Sequence, residues 1–63
     1  MKKTEAIAYF GDERAASIAI GISQQAVNKW PDKLPRRIVD RVIAALIRQG
    51  RGTDAKRVAG ALQ

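Results

Sequence analysis

The 63-residue sequence predicts a small all-α domain of four to five short helices. Three observations carry that expectation. Gly11, Gly21, Pro31, Pro35, Gly50 and Gly52 cut the chain into five pieces of helical length. No stretch sustains the period-two alternation of a half-buried strand. The apolar residues recur instead at spacings of three and four, which line one face of a helix.

The first piece runs from Thr4 to Phe10, with Thr4 as the expected cap and Ile7 and Phe10 on one face. Gly11 suits a left-handed helix stop, and Asp12 can cap the next helix. The second piece, Glu13 to Ile20, is mostly Ala and Ile and is expected to be buried on most sides. Gly21 ends it. Ser23 then caps a third helix from Gln24 to about Trp30, where Pro31 forces a stop. "PDKLPRR" reads as a loop, and Pro35 suits the first position of a fourth helix reaching about Gln49. That helix carries two apolar rows, 38/42/46 and 39/43/47, so it needs a packing partner on each flank. Thr53 is the expected cap of a fifth helix in the tail, with Ala55, Val58, Ala59 and Leu62 on one face. Against that helix stand the small side chains and Gly60. Residues 1–49 therefore form the main domain, and residues 50–63 a tail or fifth helix with a possible dimer contact.

Composition narrows the partners. Lys and Arg number 12 against 6 Asp and Glu, a net charge of +6. Such a balance points to nucleic acid or an anionic membrane surface. The absence of Cys and His removes disulfides, thiolate metal sites and imidazole chemistry. No paired carboxylates, Gly-rich phosphate loop or metal-ligand spacing suggest an enzyme, and no cofactor is expected. No secretory signal or membrane-spanning run is visible, so a cytosolic location is expected.

Two short helices joined at a Gly bend describe a helix-turn-helix. Ala16, Ile20, Ile22, Val27 and Trp30 are the expected inward positions. The outer face of the third helix is then Gln24, Gln25, Asn28 and Lys29, with Ser23 at its N-terminal edge. Gln and Asn donate and accept at once, matching the N6 and N7 edge of adenine in the major groove. Lys29 can reach guanine acceptors or a phosphate. Gln24, Gln25, Asn28 and Lys29 are the candidate base contacts. Arg14, Lys33, Arg36 and Arg37 are the candidate phosphate contacts, followed by Lys2, Lys3 and the N-terminus of the second helix. Val39, Ile43, Ile47, Val58 and Leu62 form a candidate dimer patch; alternatively, the tail folds back over the fourth helix. Ile18 points outward and has no assigned role beyond a contact with Phe10 or another protein.

The stretch "YFGDERAASIAIGISQQAVNKW" resembles the front half of the lambdoid-phage Cro repressors, especially their all-helical branch. Phe10-Gly11, Arg14-Ala15, Gly21-Ile22-Ser23, Ala26-Val27 and Trp30 carry the resemblance, which covers roughly residues 1 to 43. It implies a small bacteriophage repressor of transcription, acting in the bacterial host and binding pseudo-palindromic operator DNA as a weak dimer. It also implies that Gln24, Gln25, Asn28 and Lys29 face bases, with Ser23 near a phosphate or base edge. Ser17 departs from the usual Ala, though it can bond back to a carbonyl one turn earlier. The tail after Gly50 has no counterpart. Other classes remain open: an antitoxin or protein-interaction module of the same shape, or a membrane-surface protein using the basic amphipathic "PRRIVDRVIAALIRQG". Duplex RNA is disfavoured, because its narrow major groove excludes a helix.

Overall fold

The computed structural model describes residues 1–61, which form five α-helices. They are α1 (Lys3–Phe10), α2 (Glu13–Ile20), α3 (Gln24–Asn28), α4 (Arg36–Arg48) and α5 (Gly52–Gly60). No named strand occurs among the described residues; a single bridge pairs Lys2 with Lys33. The all-α helix-turn-helix expectation holds.

α1 starts earlier than Thr4. Lys2 is its cap, and the Lys2 backbone N–H donates to Glu5 Oε1 at 3.3 Å. The extra residues are ordered from outside: Lys3 N–H donates to the Asp32 carbonyl at 2.7 Å, and Leu34 N–H to the Met1 carbonyl at 2.9 Å. Gly11 has φ +108°, positive as expected but outside the left-handed helical well. Asp12 caps α2, its Oδ1 accepting the Ala15 N–H at 2.7 Å. α2 buries only Ala16 and Ser17 fully, so the expectation of burial on most sides is too broad. Ser17 Oγ donates to the Arg14 carbonyl at 2.7 Å, which satisfies a hydroxyl placed among core atoms.

Gly21 adopts the left-handed conformation, φ 86° and ψ 34°, and turns the chain into α3. Its N–H and that of Ile22 both donate to the Ser17 carbonyl, closing the end of α2. Ser23 Oγ accepts the Ala26 N–H at 3.1 Å and starts α3. α3 ends at Asn28, short of Trp30, because the residue before Pro31 is excluded from helical geometry.

Pro35 is the cap of α4 and not its first helical residue, with ψ 158°. α4 crosses the core with both apolar rows engaged. Val39, Val42 and Leu46 are fully buried, while Ile38 and Ile43 are partly so. α4 packs against both α2 and α5. α5 begins at Gly52 with Arg51 as cap, so Thr53 does not serve as one. Arg51 donates from Nε to Asp54 Oδ2 at 2.9 Å and also to the Tyr9 carbonyl, linking α5 to α1.

α5 lays Ala55 and Val58 into the same core as Val27, Trp30 and Leu46. This corrects the candidate dimer patch. Val39 is 0% and Val58 2% exposed within one chain: both lie in the shared core, and α5 packs against α4. Ile43 is half-buried, Ile47 is 60% exposed, and Leu62 lies outside the described residues. Ile18 is 71% exposed. No helix among the described residues is long and apolar enough to cross a membrane.

Candidate nucleic-acid interface

The interface is organised around α3, whose two faces differ in character. Val27 is fully buried and Trp30, just beyond the helix, is 9% exposed; together they pin α3 to the domain. Ala16 at 0% exposure and the partly buried Ile20 and Ile22 complete the inner side of the corner. The five inward positions expected from sequence are thus the observed ones. Ser23, Gln24, Gln25, Asn28 and Lys29 are all exposed on the other side. A five-residue helix is too short to be stable by itself, so its direction is imposed by those apolar anchors and by the Gly21 bend.

Cations lie at the start of α1, in α2, in the loop after α3 and at the start of α4. The pairing of Lys2 with Lys33 brings the N-terminal segment beside the loop that follows α3. Lys2, Lys3 and Lys33 line one open cleft there, together with Glu5 and Asp32. Arg36 and Arg37 occupy the first turn of α4 and are exposed. That turn has no acidic residue, so two cations stand at the positive end of a helix dipole. Each such placement costs the helix roughly 0.3–1 kcal/mol in the absence of an anion. Arg14 is exposed in the first turn of α2. The N-terminus of α2 itself is less suited to phosphate than expected. Asp12 already accepts the Ala15 N–H, and Glu13 adds a second carboxylate.

Glu13 and the contacts it makes with Lys3 and Asn28 are not visible from sequence spacing. Lys3 Nζ donates to the Asn28 carbonyl at 2.8 Å, closing the end of α3. Glu13 accepts from Asn28 Nδ2 at 3.4 Å and lies 3.9 Å from Lys3 Nζ. No local pattern could have revealed this triad, because its members come from three helices. No group of three candidate metal-ligating side chains occurs among the described residues.

The surface is therefore a short polar helix held outward on an apolar anchor, with exposed cations on the flanking elements. A family model described as DNA-binding transcriptional regulator Cro matches residues 2–40. Searches of curated proteins and of solved structures gave no match. The matched segment takes in α1, the whole α2–Gly21–α3 corner, the basic loop and the first turn of α4, and the chain belongs to the Cro family of DNA-binding transcriptional regulators.

Proposed function

We propose that this regulator represses transcription by occupying a pseudo-palindromic operator as a dimer, with α3 in the major groove. The observation that carries the reading is the two-sided character of α3: Val27 is wholly buried while Gln24, Gln25, Asn28 and Lys29 are exposed. In this reading Ser23, Gln24, Gln25, Asn28 and Lys29 contact bases. Arg14, Lys33, Arg36 and Arg37 contact phosphates on either side, and Lys2 adds to the same strip, while Lys3, a second-tier candidate by sequence, is engaged with Glu13 and the Asn28 carbonyl.

Affinity then comes mainly from released counterions. A dimer that neutralises about six phosphates gives a slope of roughly −5 in log K against log salt. Base contacts add about 1–3 kcal/mol of discrimination each where they are bidentate. One five-residue helix reads too few base pairs to specify a site, so two copies are needed. A two-fold dimer sets its reading helices about 34 Å apart, one turn of DNA. With Val39 and Val58 enclosed in the monomer, pairing falls to Ile47 and the exposed edge of Ile43, a small patch suited to weak association completed on DNA.

Selection of bound duplexes from a randomised pool, using the purified protein, tests the proposal. A consensus with two-fold symmetry and half-sites one helical turn apart is the expected result. Retention without sequence preference, or a strict monomer on the selected duplex by sedimentation, would overturn it.

A further inference from the structure

We infer that Glu13 sets which bases Asn28 accepts, selecting amino over keto bases at one position of each half-site; this rests on the proposed reading of α3 as the base-contacting helix. Glu13 opens α2, and Asn28 closes α3. The Asn28 side-chain amide donates from Nδ2 to Glu13 Oε2 at 3.4 Å. A carboxylate only accepts hydrogen bonds, so the amide must turn its NH2 end toward Glu13. Its carbonyl oxygen and its second N–H hydrogen are then left, side by side, for a partner in the groove.

Lys3 fixes the same arrangement from the far side. Its Nζ lies 3.9 Å from the other carboxylate oxygen of Glu13, and it donates to the Asn28 main-chain carbonyl at 2.8 Å. The Lys3 and Glu13 side chains are 18% and 31% exposed, so the pair is sheltered while Asn28 stays exposed. Lys3 also neutralises a carboxylate that would otherwise face the DNA backbone.

The consequence for readout follows from the major-groove edges. Adenine N6 and cytosine N4 carry amines that donate, whereas guanine O6 and N7 and thymine O4 only accept. The outward carbonyl accepts from an amine, with the second N–H matching adenine N7, whereas a keto base satisfies only that N–H and meets the carbonyl lone pair to lone pair. Reversing the amide to suit a keto base leaves its carbonyl facing the Glu13 carboxylate. Glu13 touches no base in this scheme; it is a positioning residue.

The experiment compares duplexes selected by wild type, Glu13→Ala and Glu13→Gln. In the wild-type consensus one position per half-site, lost when Asn28 becomes Ala, carries adenine or cytosine on the contacted strand. In Glu13→Ala the preference there falls from about fivefold or more to near parity. In Glu13→Gln it reverses, because Lys3 holds the new side-chain carbonyl and the new NH2 donates to Asn28 Oδ1, exposing the amine end. All other positions keep their bases, and binding to random DNA does not weaken, since a negative charge has been removed. An amino base still preferred at that position in either variant would overturn the inference while leaving operator binding intact. A wild-type protein without any consensus would overturn the operator-binding reading itself, and this inference with it.

Discussion

Replacing Gly21 by alanine tests whether the corner is held by backbone conformation. Gly21 lies at φ +86°, and a Cβ at that position meets nothing within 4 Å. Steric collision therefore contributes nothing, and the whole cost is conformational. An L-residue in the left-handed region costs about 1–2 kcal/mol. The stiffer unfolded chain returns about 0.4–1 kcal/mol of this. The net loss for Gly21→Ala is about 1 kcal/mol, or roughly 4–8 °C in Tm for a domain of this size. Gly21→Asn loses less, because asparagine tolerates the conformation better. D-Alanine, introduced by chemical synthesis, reverses the sign. It favours positive φ and keeps only the unfolded-state benefit, a gain of about 0.4–1 kcal/mol. Thermal unfolding followed by circular dichroism at fixed salt measures all three. Equal destabilisation by the two alanine enantiomers would refute the reasoning, and so would an L-alanine variant as stable as wild type.

The proposed DNA-facing roles separate under alanine substitution: Gln24→Ala or Asn28→Ala is expected to cost about 1–3 kcal/mol at its own base pair with little change in salt slope. Lys33→Ala or Arg37→Ala instead weakens all sequences alike and reduces the slope by about one, as titrations against operator and random duplexes at several salt concentrations will register. Leu46→Ala, at a fully buried site, removes about 2–5 kcal/mol, and denaturant midpoints should show the domain close to unfolding. Ile47→Lys, at an exposed site, leaves thermal stability within about 0.5 kcal/mol while sedimentation on the operator shows weakened pairing. Arg51→Ala breaks the link from α5 to the Tyr9 carbonyl, and hydrogen exchange should report earlier opening of α5 amides than of α4 amides.

What could be read from the sequence was local. Asp12 and Ser23 cap helices within three residues of themselves, and Ser17 bonds back to Arg14. Such contacts depend on residue type and short spacing, so the order of helices and the inner face of the corner were both legible. The same spacing reveals that a face is buried without revealing against what. Val39 and Val58 have the pattern of a sticky surface, and α5 folding back on α4 gives that surface an occupant from the same chain. Long-range polar contacts left no trace at all. Arg51 and Tyr9 stand 42 residues apart, and Asn28 and Glu13 stand 15 apart. Nothing in either neighbourhood marks its partner. The early start of α1 is hidden for the same reason, since the backbone bonds to Asp32 and Leu34 come from beyond α3.

The fold-back of α5 also orders events during synthesis. Every residue proposed to touch DNA has been translated by Arg37, yet the core beneath them lacks Ala55 and Val58 until α5 emerges. A nascent chain halted after Gly50 carries a bare apolar flank on α4 where α5 belongs. Premature termination there should yield aggregates or proteolytic fragments and no half-active regulator.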